Sequence, residues 1–222
     1  MSVSTMVIGE SGTGKSTAMR NLDPAHTLLI QAVKKPLPFK ATGWNRLDRE
    51  KRTVGNIYTS DDSQQIIAAM RRTSKHIIVL DDFQYVLANE FMRRSEEKGY
   101  DKFTEIARHA WDVLTAAANL PDHVRVYILM HSQSDDFGRT KAKTIGKMLD
   151  EKITLEGLFS IVLRTVVRDG HYLFATRNNG SDTTKTPLGL FDNDLIDNDL
   201  AQIDAAVCAY YELETSAAAN AA

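Results

Sequence analysis

Apolar positions along this chain follow two alternating rhythms. Short apolar runs at residues 3–8, 27–33, 76–81 and 124–130 have the length and composition of β-strands. The run His76-Ile77-Ile78-Val79-Leu80-Asp81 is almost wholly apolar, as a strand covered on both faces must be. Between these runs, apolar residues recur every three or four positions. Residues 16–22 open a helix that Asp23-Pro24 ends. Ile66, Ile67 and Met70 predict a helix through Arg72, with Asp61 and Asp62 as N-caps. Residues 86–98 read as helix stopped by Gly99. Phe103, Ile106, Ala110, Trp111, Leu114 and Ala118 mark an amphipathic helix over 101–119. Residues 34–53, with Pro36, Pro38 and Gly43, carry no strong signal, and 132–152 reads as a polar, basic loop with a short helix. Residues 159–167 and 172–176 around Asp169-Gly170 predict a β-hairpin. A last helix is expected over 195–213, its stripe formed by Ile196, Leu200, Ile203, Val207 and Tyr210. No internal repeat interrupts the order. The pattern predicts one α/β domain over 1–214, with 215–222 a frayed or disordered tail.

Composition narrows the class of partner. In 222 residues, 27 Lys and Arg face 29 Asp and Glu for a net charge of −2, which excludes a histone-like polycation but leaves room for a local basic groove. The single cysteine, Cys208, excludes a disulfide framework and a cysteine-built zinc site, and fits a reducing compartment. No stretch approaches the roughly 20 apolar residues of a membrane span. Residues 1–8 are too short for a signal-peptide core. The expectation is a cytoplasmic protein with no membrane partner.

Two motifs carry chemistry. Gly9-Glu10-Ser11-Gly12-Thr13-Gly14-Lys15-Ser16 fits G-x-x-x-x-G-K-[ST], between a predicted strand and a predicted helix. The glycines let the backbone curl so that successive N–H groups face phosphate oxygens, and the following helix, which Ser16 and Thr17 open, adds its positive N-terminal end. Lys15 is expected to reach the β- and γ-phosphates, and Ser16 to complete the coordination of Mg²⁺. The second motif is Asp81-Asp82 at the end of the apolar strand. Asp81 suits the metal shell of a phosphoryl-transfer site, and Asp82 is a candidate for polarising the attacking water. ATP and Mg²⁺ are the implied ligands.

These two motifs, with a further strand ending at His131-Ser132-Gln133, resemble the RecA-like branch of P-loop ATPases. The resemblance is closer to phage-encoded ATP-binding proteins of recombination or single-strand annealing. It is carried by Leu80-Asp81-Asp82-Phe83-Gln84, Lys98-Gly99-Tyr100-Asp101-Lys102-Phe103, Thr144-Ile145-Gly146-Lys147 and Lys185-Thr186-Pro187. It implies a mainly parallel central sheet flanked by helices, with the C-terminal hairpin and helix added. It also implies that the strand ending at His131 lies between the phosphate-loop strand and the Asp81 strand, where His131 or Gln133 would sense the γ-phosphate. Where RecA carries a glutamate after its second strand, this chain reads Gln31-Ala32-Val33-Lys34-Lys35. Either Asp82 activates water instead, or hydrolysis is slow.

The same resemblance makes the loop after His131 a DNA-facing segment, with Arg139, Lys141, Lys143 and Lys147 as phosphate contacts. Tyr100 and Lys102 form a second aromatic-basic cluster. Lys34, Lys35 and Lys40, stiffened by Pro36 and Pro38, form another basic stretch, and its adjacency to the phosphate-loop side makes it a candidate for nucleotide contact. Lys185, behind the glycine-containing segment 178–181, is the candidate cation for a neighbouring subunit's site, with Arg168 and Arg177 after it. The expected protein binds Mg-ATP and single-stranded DNA, hydrolyses ATP and assembles into a homo-oligomer or filament, in bacterial host cytoplasm if phage-encoded. The alternative is an ATP-gated loader or regulator without direct DNA contact. A small-molecule kinase is disfavoured because no arginine-rich lid follows the core.

Overall fold

Strands and helices alternate as the apolar rhythm predicts. The computed structural model describes residues 1–48, 53–146 and 148–213, without the side chain of Asp150. In chain order the elements are β1 (Val3–Gly9), β2 (Thr27–Gln31), β3 (Ile57–Thr59), α1 (Ser63–Arg72), β4 (Ile77–Asp81), α2 (Gln84–Arg93) and α3 (Asp101–Ala118). There follow β5 (Arg125–Ser134), β6 (Thr140–Ala142), β7 (Ile161–Arg168), β8 (His171–Ala175), β9 (Leu195–Asp197) and α4 (Leu200–Tyr210). They build a nine-stranded mixed sheet of order β3-β2-β4-β5-β1-β7-β8-β9, with β6 paired to the far end of β5. From β3 to β7 neighbouring strands run parallel; β8 and β9 extend the sheet antiparallel. The strand that carries His131, β5, does lie between β1 and the Asp81 strand β4, but it runs on past His131 to Ser134.

Strand alternation divides the core between the sheet's faces. Met6, Ile8, Ile78, Leu80, Ile128 and Met130 pack with Ile66 of α1 and Ile106, Ala110 and Leu114 of α3. Val7, Val79, Tyr127, Leu129 and Leu163 pack with Met19 and with Leu200, Ile203 and Val207 of α4. Because the central strands run parallel, their C-terminal ends share one edge, where ligands of open α/β sheets bind. None of the helices among the described residues is long and apolar enough to cross a membrane.

Several expected elements differ. The helix expected over 16–22 is a tighter 3-10 segment, Ser16–Asn21. Asp62 alone caps α1, accepting from Gln65 N, while Asp61 accepts from Asn89 and Arg93. The second helix ends at Arg93 rather than Lys98, because Lys102 turns inward and donates to the carbonyls of Arg94, Ser95 and Glu97. Its Nζ also lies 5.5 Å from the Phe91 ring centroid, so Lys102 is buried and caps the end of that helix. The expected loop 132–152 begins as a hairpin, with Gln133 opposite Lys141. The expected helix over 195–213 starts only at Leu200, capped by Asp199; Leu195 and Ile196 pair with β8, which would otherwise present a bare edge. The short β3 lay below sequence detection. The tail 215–222 and Lys147 lie outside the described residues.

Candidate functional site

The loop between β1 and the 3-10 segment is a backbone ring tied from inside. Lys15 is nearly buried, and its Nζ donates to Gly9 O at 2.8 Å and Glu10 O at 2.6 Å. Thr13 Oγ1 contacts Glu10 O at 2.7 Å and Thr165 Oγ1 of β7 at 2.6 Å. Gly9 cannot be larger: a Cβ there would lie 1.7 Å from Thr165 Oγ1. Gly14 has φ +93°, and its Cα faces Tyr172 and Asn198, so a side chain would be both strained and crowded. Glu10, Ser11 and Gly12 form the exposed crest of the loop.

Two carboxylates meet this loop from β4. Ser16 Oγ donates to Asp81 Oδ1 at 2.8 Å. Asp81 is 1% exposed; burial, and then the charge of Asp82, push its pKa upward. Its Oδ2 has no hydrogen-bond partner among the described residues, although Lys35 Nζ stands 3.9 Å away. Asp82 turns the chain at φ +60°, and Lys35 donates to its Oδ2, while His131 Nε2 lies 3.7 Å from Oδ1. Burial pushes the Asp82 carboxyl up, but His131 and Lys35 outweigh it and hold the pKa below the usual range. Burial likewise lowers Lys15, against the pull of Asp82 and Asp81, to about 8. For Lys35 burial also works downward, but Asp81 and Asp82 prevail and raise its pKa.

A cavity of about 690 Å³ opens over these groups. Ser11, Gly12, Gly14, Lys15, Ser16 and Thr17 form its floor, with Asp82 and His131 at one end. Lys35, Pro36 and Pro38 make one wall. The other comes from Gly170 of the β7–β8 turn and from His171 and Tyr172 at the start of β8, with Arg20 and Asn198. That turn has φ +51° at Asp169 and +77° at Gly170, the tight hairpin geometry the sequence promised. Because β7 runs parallel to β1, the turn necessarily stands beside the loop.

Of the residues singled out from sequence, the loop, Asp81, Asp82 and His131 converge. Gln133 does not line the cavity; it lies two residues farther along β5, in the hairpin ladder. Lys185 is exposed, and its backbone bonds to Val162 in both directions, so it is fixed beside β7 rather than carried on a free tether. The preceding segment is also fixed: the side chains of Asn178 and Asn179 accept from the backbones of Gly180 and Ser181. Arg139 and Lys143 are exposed on the β5–β6 hairpin, and Lys141 is half-buried. Of the basic stretch Lys34, Lys35 and Lys40, a candidate for nucleotide contact from sequence, only Lys35 lines the cavity. Arg20, Tyr172 and Asn198 carried no such signal in the sequence.

Asp81 Oδ2 is a buried oxygen with no hydrogen bond among the described residues, and the Ser16 hydroxyl bonded to the same carboxylate completes a hard-oxygen pair. Among the described residues no cluster of three His, Cys, Asp or Glu could enclose an ion. One carboxylate and one hydroxyl suit Mg²⁺, which takes its other ligands from water and phosphate. The residues fit the ion. Neither protein-family models nor curated proteins give a match to this chain.

Proposed function

We propose that this chain is a RecA-like P-loop ATPase that binds Mg-ATP over the Gly9–Thr17 loop and couples its hydrolysis to single-stranded DNA binding, in recombination or annealing. The observation that carries the nucleotide reading is the Ser16–Asp81 hydrogen bond at the mouth of the loop that Lys15 closes. Bound there, Mg²⁺ would supply charge neutralisation for the phosphates through Ser16 and Asp81. Lys15 and the loop N–H groups orient the polyphosphate, and the hairpin turn at Tyr172 screens it from solvent. In hydrolysis a water oxygen bonds to the γ-phosphorus as the bond to the β–γ bridging oxygen breaks. ADP leaves with that electron pair, and the water's proton passes to solvent. Asp82 is positioned to orient this water, but its lowered pKa makes it a weak base.

The DNA reading is supported by the continuity of β5. The strand carries His131 into the cavity and runs on into a hairpin whose tip presents Phe137, 96% exposed, beside Arg139. An aromatic face and a cation at one tip suit an unpaired base and its phosphate. Assembly into an oligomer belongs to the same reading.

The weak basicity of Asp82 favours one rival, an ATP-gated regulator that hydrolyses slowly and makes no direct DNA contact. Steady-state ATP hydrolysis with and without single-stranded DNA separates the two, with Lys15→Ala as control. DNA-stimulated turnover absent from the control is expected. ATP binding with neither turnover nor DNA binding would leave the regulator, and no ATP binding would remove both.

A further inference from the structure

The cavity holds two ammonium groups, and they are committed differently. Lys15 spends two of its three N–H donors on Gly9 O and Glu10 O. Lys35 has one hydrogen-bond acceptor among the described residues, Asp82 Oδ2; Asp81 Oδ2, at 3.9 Å, is beyond hydrogen-bond reach. Two of its donors therefore have no acceptor among the described residues. Its side chain is 37% exposed, and it lines the same cavity as the loop, whereas the carboxylates behind it are almost fully buried.

The approach of Lys35 is built rather than incidental. Arg46 Nη2 donates to Lys35 O at 2.6 Å and to Gln31 Oε1 at 2.9 Å, tying the segment after β2 to the strand it leaves. Pro36 follows directly and Pro38 two residues later, which restricts the backbone beyond it. Next door, Lys34 is exposed and does not line the cavity.

We propose that Lys35 is the residue that recognises the terminal phosphoryl group of the nucleotide, donating to a γ-phosphate oxygen from the Asp82 side of the cavity. This inference rests on the ATP site proposed above, and gives Lys35, from within the same chain, the role of the cation facing the transferred group. It makes Lys35 a reader of triphosphate over diphosphate. Asp82 keeps the ammonium aimed, and the anchored backbone keeps it from swinging to solvent.

The test is equilibrium binding of ATP and of ADP, each with and without Mg²⁺, to the wild type, Lys35→Met, Lys35→Arg and the neighbouring control Lys34→Met. The wild type and the control are expected to prefer ATP. Lys35→Met should lose on the order of tenfold or more in ATP affinity, with ADP affinity changed by less than about threefold. Lys35→Arg should restore part of the preference. A purely structural role would weaken both nucleotides together, so an unchanged ATP-to-ADP ratio in Lys35→Met overturns the inference. So does a wild type that binds both equally. If Lys35→Met fails to fold because Asp82 is left unpaired, Lys35→Met combined with Asp82→Asn removes both charges and is read by the same ratio. Failure of the wild type to bind either nucleotide overturns the ATP site itself, a result distinct from an unchanged ratio.

Discussion

Ser16 Oγ and Asp81 Oδ1 stand 2.8 Å apart although 65 positions and the intervening strand β5 separate them. The contact joins the start of the 3-10 segment to the end of β4, and leaves Asp81 Oδ2 as a buried oxygen without a hydrogen bond among the described residues. Asp81→Asn keeps the shape and the hydrogen bond from Ser16 but removes the charge. It is expected to abolish the Mg²⁺-dependent gain in nucleotide affinity while leaving metal-free affinity within about twofold. Calorimetry with and without Mg²⁺ reads both; a retained metal dependence would remove Asp81 from the ion's shell.

Gly9 touches β7 so closely that its side-chain hydrogen is structural. Gly9→Ala would drive a methyl to 1.7 Å from Thr165 Oγ1 and 2.9 Å from Thr13 Oγ1, forcing the loop off its strand. A loss of about 1–3 kcal/mol in unfolding free energy is expected, together with lost nucleotide binding. Adding Thr165→Ala removes the blocking oxygen and should recover part of both. Denaturant titration of the single and double variants checks it, and equal instability of the two would rule out this clash.

A buried ion pair holds the helix behind the loop. Asp204 of α4 accepts from Arg125 Nε at 3.0 Å, Arg125 Nη2 at 2.9 Å and Tyr127 OH at 2.7 Å. Arg125 is 1% exposed, so Asp204→Ala would strand its charge and cost about 3–5 kcal/mol. The loss should reach the nucleotide too, because α4 packs on the 3-10 segment and Asn21 donates to Asp199 at its N-cap. Thermal unfolding and nucleotide titration of this variant are the measurements. Full stability would show that the pair contributes nothing.

What was legible in the sequence was what neighbouring residues decide. The Gly9–Ser16 loop is a consecutive string whose backbone geometry is local, and Asp81-Asp82 ends a run too apolar to be anything but a buried strand. The walls of the cavity were not legible, because strand pairing brings them there. Lys35 meets Asp82 because Gln31 and Asp81 are register partners on adjacent strands. Tyr172 meets Gly14 because β7 lies beside β1. The missed boundaries have the same origin. Lys102 reaches back to finish α2, and the edge of β8 takes Leu195 and Ile196 from a helix their spacing allowed. Periodicity reports which residues are buried, and not which partner buries them.

The lowered pKa of Lys15 gives a pH signature in metal- and nucleotide-free protein. Burial brings its folded value to about 8 from an ordinary 10.5. Between those values the unfolded chain binds the proton and the folded protein does not, so stability should rise with pH. Below about 8 both states are protonated and the contribution is flat and unfavourable. Lys15→Met lacks the group, so the wild type should gain on this variant from about pH 8 to 10.5. Denaturant unfolding across pH 7 to 10.5 tests it; parallel curves for the two proteins would contradict the burial of this ammonium.

Phe137 and Arg139 flank Gly138 at the hairpin tip and are predicted to fail in different ways when removed. Asp135 Oδ1 accepts from the backbones of both residues, which fixes the turn independently of their side chains. Either side chain can therefore be truncated with the turn intact, Arg139→Ala giving up its Nε donation to Asp182 O at 3.4 Å. A stacking aromatic contributes about 1–3 kcal/mol per base and involves no counterion, so Phe137→Ala should weaken single-stranded DNA binding with the salt dependence unchanged. Arg139→Ala should weaken it and also reduce the slope of log affinity against log salt by about 0.7, the share of one neutralised phosphate on a single strand. Fluorescence anisotropy with a short labelled oligonucleotide, titrated at several salt concentrations, reads affinity and slope together. If both variants bind like the wild type, the β5–β6 hairpin does not contact DNA, and the regulator without direct DNA contact becomes the better reading of the same ATP site.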